Sequence, residues 1–237
     1  MPCFAEKAVR AAFIPNQKFN VGETLSLIGD VHHHLSNVIR LRQGESFLLL
    51  NGLGLTVEVR ATSIDKRETQ VLIEKCWMAP PPRAQDVLIV IPKKDALDSM
   101  FKICVEMGVR RIYLLKGQNS PEKLPEERRV HALVQSALEQ SNNPWFPQVI
   151  HCADWSNFPA LEYAEIVVMD LASEKSKEVR NAGQTSVLIV GPEGGFSPSE
   201  RQVMSAWNAT RVVSLPTPIL RAPTALAAGL GWMHGRA

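Results

Sequence analysis

The feature that most restricts the fold of this chain is a change of hydrophobic pattern at residues 79–83. After it, continuous apolar runs such as Val87–Ile91 alternate with segments of helical periodicity such as Ala96–Met107. Continuous Val, Ile and Leu runs are typical of strands covered on both faces, and interleaved helices provide that cover. We therefore predict an α/β domain with a parallel sheet. The other predicted elements are strands at 111–115, 166–169, 187–190 and 211–214 and helices at 125–140 and 224–234.

The residues before this change have a different pattern. Short segments rich in β-branched and apolar residues are separated by turn signals such as Asn51-Gly52. This pattern predicts a small β-barrel-like domain. It also predicts one short helix at Val31–Ile39, which Gly29-Asp30 could cap. The predicted strands are Arg10–Ile14, Thr24–Ile28, Ser46–Leu50, Leu55–Ala61 and Thr69–Cys76.

The boundary itself is rich in proline. Ala79-Pro80-Pro81-Pro82-Arg83 contains three consecutive prolines, which lack a backbone donor and hold φ near about −65°. Such a segment forms a stiff, extended connector. We therefore expect a first domain over residues 1–78, a linker over 79–83 and a second domain over 84–237.

Composition excludes several classes of protein. The net charge of +2 gives no sign of a nucleic-acid partner. No apolar run approaches the roughly 18 residues of a membrane span, and the first residues do not resemble a secretory signal, so we expect a cytoplasmic protein. The four cysteines are scattered, which predicts neither a disulfide framework nor a zinc site. Adjacent helical residues such as His32, His33 and His34 point in different directions, so we expect no metal.

Two loops follow predicted strands at the edge of the sheet where ligands of α/β proteins bind. The first, residues 191–197 (Gly-Pro-Glu-Gly-Gly-Phe-Ser), permits close approach of a ligand, and Ser197 and Pro198 are typical of a helix start. It matches neither the dinucleotide nor the phosphate-loop fingerprint, which disfavours an oxidoreductase or a kinase. A plain strand-to-helix turn remains the alternative.

The second loop, Leu215–Thr224, contains three prolines and leads into the last predicted helix, Thr224–His234. That helix is apolar or small on nearly every side, which is typical of a helix buried on more than one face. We therefore expect it to pack against its own sheet and against another subunit.

Together these segments resemble the 16S ribosomal RNA uridine-N3 methyltransferase family of the SPOUT superfamily. The order and spacing of the segments make the resemblance specific, and the 191–197 loop followed by Ile-Leu-Arg is its strongest part. The resemblance rests on His33-His34-Leu35, Val38-Ile39-Arg40, Gly44-Glu45, Glu106-Met107-Gly108-Val109, Glu139-Gln140-Ser141, residues 191–197 and Ile219-Leu220-Arg221.

The resemblance implies a SPOUT-type α/β domain with a trefoil knot, preceded by a PUA-like RNA-binding β-barrel domain. It implies a homodimer that acts on 16S ribosomal RNA or the small ribosomal subunit, without metal or membrane. The implied cofactor is S-adenosylmethionine, bent within the knot. Its implied binding residues are Leu171, Gly191, Pro192, Glu193, Gly194, Leu215, Ile219, Leu220 and Thr224.

For catalysis we expect Arg221 to stabilise the uracil oxygens as the ring becomes anionic, since a guanidinium keeps its proton. Glu193 is expected to accept backbone donors within its own turn. Arg10, Arg40 and Arg42 are candidates for phosphate contacts, although each is also consistent with an ordinary surface charge.

The chain departs from the family pattern in the cofactor loop, where Pro216, Pro218 and Pro223 replace a glycine, an arginine and a glutamate. Asn143 stands near the usual place of an arginine.

Two alternatives to a 16S uridine-N3 methyltransferase stay open. One is a SPOUT methyltransferase for another RNA or for a ribose 2′-oxygen, and the other is an inactive RNA-binding or ribosome-assembly protein that keeps the fold.

Overall fold

A computed structural model describes residues 10–15, 18–121, 123–170 and 185–235. The described residues form two compact units. The first contains those of Met1–Pro81 together with Gln135–Phe146, and the second contains those of Pro82–Val134 and Pro147–Ala237.

The first unit is built on a five-stranded sheet in the order β1-β3-β4-β5-β2. Its strands are β1 (Ala11–Phe13), β2 (Thr24–Ile28), β3 (Ser46–Leu50), β4 (Leu55–Ile64) and β5 (Glu68–Met78). Only the β1–β3 pair is parallel among the described pairs of this sheet. Alternate residues of the strands, such as Phe47 and Leu49 or Val57 and Val59, are fully buried, as the period of two requires.

The helix predicted at Val31–Ile39 has a different start and a different geometry. Helix α1 (Gly29–His33) begins after Ile28, so Gly29 and Asp30 lie inside the helix and do not cap it. It continues as a π-helix over His34–Val38, in which the Ile39 N–H donates to the His34 carbonyl at 2.9 Å. The π-helix ends at Val38, and Arg40, two residues later, is a non-glycine residue with a φ of 56°.

The second unit is an α/β fold around a six-stranded sheet in the order β11-β9-β10-β6-β7-β8. Every described pair of strands in this sheet is parallel, which confirms the predicted sheet type. The strands are β6 (Gln85–Val90), β7 (Arg111–Leu115), β8 (Gln148–Cys152), β9 (Glu165–Met169), β10 (Ser186–Val190) and β11 (Thr210–Val213).

The described residues also form four longer helices, α2 (Lys94–Glu106), α3 (Glu127–Ser141), α4 (Pro198–Ser205) and α5 (Ala222–His234), and two short 3-10 helices at Trp155–Asn157 and Ala160–Glu162. Helix α5 begins two residues before its predicted start, with Pro223 in its first turn, where a missing N–H costs little. Its buried residues include Leu226, Leu230 and Met233, at the spacing of one helical face. No helix in the described ranges is both long and apolar enough to cross a membrane.

The amino end of β6 is fixed by a buried carboxylate. Asp86 is fully buried and accepts two hydrogen bonds from the Arg110 guanidinium, at 3.0 and 2.7 Å. The Tyr163 hydroxyl donates to the same carboxylate at 2.7 Å, and burial raises the pKa of Tyr163 well above its usual value. These contacts lie at the edge of the sheet opposite to the loops singled out above, so they serve the fold.

Candidate functional site

A cleft of about 260 Å³ lies at the carboxyl ends of β9 and β10. This is the edge at which parallel α/β sheets bind their ligands. An adjoining cleft of about 60 Å³ shares Met169, Asp170 and Leu220 with it. The larger cleft is lined by Met169, Asp170, Val190, Gly191, Pro192, Glu193, Gly195, Phe196, Ile219, Leu220, Arg221 and Ala222.

The glycine-rich loop is held in place by the start of α4. Ser197 caps the helix and Glu200 completes a capping box, with the Ser197 N–H donating to Glu200 Oε2 at 2.7 Å. Within the loop, the Gly195 N–H donates to the Pro192 carbonyl at 2.9 Å, and Gly195 has a φ of 65°, which favours glycine. The predicted serine cap is therefore confirmed, and it fixes the wall of the cleft.

Glu200 also binds a second loop, which the sequence did not indicate. Its Oε1 accepts the Gln118 N–H at 2.8 Å, just after β7. A Cβ on Gly117 would lie 2.5 Å from Val90 Cγ1 and 2.7 Å from Glu200 Oε1, so only glycine fits there. The Asn119 side-chain amide donates to the carbonyl oxygens of the glycine-rich loop at 3.2 and 3.1 Å. The loop after β7 thus holds the glycine-rich loop from outside the cleft.

Asp170 is a second residue of the site that the sequence did not indicate. It follows β9 directly, lines both clefts, and accepts hydrogen bonds from the Arg201 guanidinium at 2.6 and 3.2 Å. These contacts with Asp170 raise the pKa of Arg201. The rule that pointed to the loops after Val190 and Ser214 applies equally to the strand ending at Met169, and it could have found Asp170.

Arg221 stands at the entrance to α5. It is the N-cap residue of that helix, its side chain makes no capping hydrogen bond, and it is exposed while lining the cleft. The guanidinium is therefore available to a ligand at the position where two predicted loops meet.

Most of the predicted cofactor residues lie together. Gly194 and Thr224 are not among the residues that line either cleft, and Leu171 lies outside the described residues. Leu215 lines the smaller cleft. The residues brought together at the larger cleft are Gly191, Pro192, Glu193, Ile219 and Leu220, with Arg221.

The position of Glu193 corrects one expectation. Its carboxylate accepts the N–H of Lys93, which lies in the loop after β6, at 3.3 Å. Glu193 therefore contacts a neighbouring loop instead of donors within its own turn, and its side chain is exposed.

The three arginines predicted to contact RNA are exposed in the first unit. The Arg10 guanidinium lies 3.4 Å from the Glu45 carboxylate, and the same carboxylate accepts the Arg42 N–H at 2.9 Å. Arg40 is the residue with a φ of 56°. Two of the three are thus adjacent to one carboxylate.

The three consecutive histidines have separate environments. His32 Nδ1 is 2.9 Å from the Thr69 hydroxyl, His33 is exposed, and His34 Nε2 is 3.4 Å from the Glu139 carboxylate. Over the described ranges, no group of three His, Cys, Asp or Glu side chains could hold a metal ion.

Two known proteins of similar sequence carry the same name. A protein of Mycobacterium bovis named Ribosomal RNA small subunit methyltransferase E is 26% identical over 230 residues, covering 90% of this chain and 86% of the relative. A Rickettsia conorii protein of the same name is 26% identical over 221 residues, covering 89% of each chain.

The fold is shared with a solved structure, and a family model matches the sequence. A ribosomal RNA small subunit methyltransferase E from Neisseria gonorrhoeae, bound to S-adenosyl methionine, has a TM-score of 0.83 and is 26% identical, covering 96% of this chain and 97% of that one. The family model of the RNA methyltransferase domain matches residues 79–234, more than half of the chain. The resemblance predicted from the sequence is therefore confirmed, and the chain belongs to the RNA methyltransferase family, alongside the ribosomal RNA small subunit methyltransferases E.

Proposed function

We propose that this chain is an S-adenosylmethionine-dependent methyltransferase that methylates N3 of a uridine in 16S ribosomal RNA. The observation that carries the proposal is the cleft at the carboxyl ends of β9 and β10, where the glycine-rich loop and Arg221 meet. The N. gonorrhoeae relative, which was solved with S-adenosyl methionine, supports the cofactor, and the name of the relatives supports the RNA.

The residues of the cleft fit this cofactor. Met169, Phe196 and Leu220 provide an apolar lining of the kind that an adenine ring requires. The carboxylate oxygens of Asp170, which is paired with Arg201, and of Glu193 provide acceptors for ribose hydroxyls. The two adjoining clefts together reach the lower end of the about 300–1,000 Å³ that is usual for ligand pockets. Leu171, Gly194 and Thr224 remain predicted members of the cofactor site.

Methyl transfer to N3 of uridine requires mainly that the protein orient the two reactants and stabilise the charge that develops. When bound, S-adenosylmethionine supplies a methyl group on a positively charged sulfur. Holding donor and acceptor in line is worth roughly 7–11 kcal/mol, whereas a general base contributes about 10²–10⁴-fold. Most of the rate enhancement therefore comes from the walls of the cleft, which orient donor and acceptor. Arg221 stabilises the uracil oxygen that gains negative charge as N3 loses its proton.

Several features of the architecture belong to the same proposal. The connection from β10 to β11 passes over β9, which supports a trefoil knot. The mixed five-stranded sheet of the first unit supports a PUA-like barrel. The proposed domains are residues 1–78 and 84–237, joined by residues 79–83, which lie outside any helix or strand. The compact units differ from these domains in one respect, because Gln135–Phe146 belongs to the first unit.

The proposed function also includes the oligomeric state of the protein, its RNA contacts and its location in the cell. We propose a homodimer, because α5 carries small residues such as Ala228 and Gly231 away from its buried face, which allows a second helix to approach. We propose that Arg10, Arg40 and Arg42 contact RNA phosphates, supported by their exposure. We also propose a cytoplasmic location, which a substrate in the small ribosomal subunit supports.

The cofactor site is tested by calorimetric titration with S-adenosylmethionine. Leu220→Trp adds bulk where both clefts meet, and we expect it to weaken binding by about tenfold or more, equivalent to about 1.4 kcal/mol. The matched control is Leu161→Trp, at a leucine that is 97% exposed and lines neither cleft, and this variant should bind as the parent does. Equal binding by both variants, or none by the parent, would contradict the site.

A further inference from the structure

The first unit contains a second pocket, of about 340 Å³, at a place where two separate segments of the chain meet. One segment is α1 with the π-helix, and the other is the carboxyl half of α3. Both segments carry part of the family resemblance, through His33-His34-Leu35 and through Glu139-Gln140-Ser141, and neither belongs to the cofactor cleft.

The polar groups of this pocket are fixed by one carboxylate. Glu139 accepts the Phe13 N–H at 3.1 Å and the Gln135 side-chain amide at 3.2 Å through Oε1. Its Oε2 lies 3.4 Å from His34 Nε2. The Glu139 side chain is 12% exposed, so these contacts are made largely away from water. The pocket thus presents an imidazole and an amide in fixed positions.

The backbone beside the pocket is unusual in two ways. Single π-turns are rare and occur frequently at functional sites, and here the π-helix His34–Val38 places His34 and Val38 on the pocket wall. Arg40, two residues later, holds a left-handed conformation that costs a non-glycine residue free energy. Because both kinds of backbone feature cluster at functional sites, they mark this pocket as a candidate binding site.

The apolar part of the wall is open to solvent. Val31 and Val38 line the pocket, and Val38 is 64% exposed. A ligand with an apolar face would cover this exposed part of the wall. Because Asp30 and Glu139 also line the pocket, a phosphate would be repelled, whereas a neutral ring with donors and acceptors on its edge would not. A nucleobase has both properties, and proteins read unstacked bases of single-stranded RNA in part by hydrogen bonds to the base edges.

We infer that this pocket binds an unstacked nucleobase of the RNA substrate, separate from the uridine that enters the cofactor cleft. This inference rests on the proposed function, since it takes RNA as the substrate. The pocket contributes affinity and register through the base, and the exposed arginines of the same unit contribute through the phosphates.

The test uses Val38→Glu in the full-length protein, because Val38 is exposed and its replacement leaves the core intact. The matched control is Val21→Glu, at a valine of the same unit that is 63% exposed and absent from the pocket wall. Two probes are compared by fluorescence anisotropy: a ten-nucleotide single-stranded RNA containing all four bases, and an abasic chain with the same backbone.

We expect Val38→Glu to weaken RNA binding about tenfold more than Val21→Glu does. A difference of this size is expected when one base contact is lost. The two variants should bind the abasic chain alike, because each adds one negative charge. Equal losses for both variants on RNA, or the same excess loss on the abasic chain, would overturn the inference.

A second variant tests whether the effect belongs to the pocket and not to Val38 alone. Gln135→Ala removes the amide from the pocket while the Glu139 contacts with Phe13 and His34 remain, and it should also weaken RNA binding relative to the abasic chain. Titration of each variant with S-adenosylmethionine separates the two proposals. Unchanged cofactor binding with weakened RNA binding supports the pocket, and a parent that binds RNA through its bases but no cofactor would contradict the proposed function alone.

Discussion

Arg221 is the residue on which the proposed chemistry depends most. Its guanidinium lines the cleft without a capping hydrogen bond to its own helix, so replacing it leaves the start of α5 intact. We expect Arg221→Ala to lower kcat by about 10²–10³-fold, the usual loss when one stabilising group for a developing negative charge is removed. Affinity for S-adenosylmethionine, measured by calorimetry, should change far less.

Arg221→Lys is the matched variant. Lysine keeps the charge but loses the planar fork, so it should recover part of the rate. A loss of cofactor binding that parallels the loss of rate in Arg221→Ala would assign Arg221 to cofactor binding instead of catalysis.

Individual residues of the site differ in how far the sequence could predict them. Ser197 and Glu200 form a cap whose spacing is local, so the helix start was predicted correctly. The contact between Glu200 and Gln118 joins residues that are far apart in sequence, and no local pattern indicates it. The contacts expected for Glu193 within its own turn were predicted wrongly for the same reason, because its partner Lys93 belongs to another loop.

Among the elements, the loop after β7 and the start of α4 are joined by a single carboxylate. Glu200 is 5% exposed and accepts one N–H through each oxygen, from Gln118 and from Ser197. Glutamine has only one acceptor oxygen, so Glu200→Gln leaves one buried N–H facing a donor. We expect the free energy of unfolding to fall by about 1–3 kcal/mol, measured by urea denaturation.

Glu193→Gln provides the comparison for this prediction. Glu193 is exposed and accepts one N–H at 3.3 Å, so its replacement should change the free energy of unfolding by no more than about 0.5 kcal/mol. Equal stability of the two variants would mean that Glu200 does not join the loops in solution.

The elements themselves were predicted where the hydrophobic period was clear. Strands β2, β3 and β7 have the predicted bounds, and continuous apolar runs marked the central strands of the second sheet. Strand β8 was missed because it lies at the edge of that sheet and its residues are mostly half-buried or exposed. The π-helix was also missed, since helical periodicity does not distinguish it from an α-helix over five residues.

For the whole molecule, the proposed homodimer makes a direct prediction. Sedimentation equilibrium should give twice the chain mass of 26.3 kDa. Gly231 on α5 is exposed, and a Cβ there meets no atom within 4 Å, so Gly231→Glu is accommodated by one chain and should disrupt the dimer. Ala132→Glu, at an exposed alanine of α3, should remain dimeric. A parent protein that sediments at the mass of one chain contradicts the dimer.

The most direct test of the central claim is to identify the methylated atom. The protein is incubated with S-adenosylmethionine carrying a labelled methyl group and with small ribosomal subunits that lack the modification, and the nucleosides of the RNA are then analysed by mass spectrometry. We predict label in 3-methyluridine from 16S ribosomal RNA, at a rate that Arg221→Ala strongly reduces. Label on a ribose 2′-oxygen, or no label in RNA from a protein that binds the cofactor, would contradict the account.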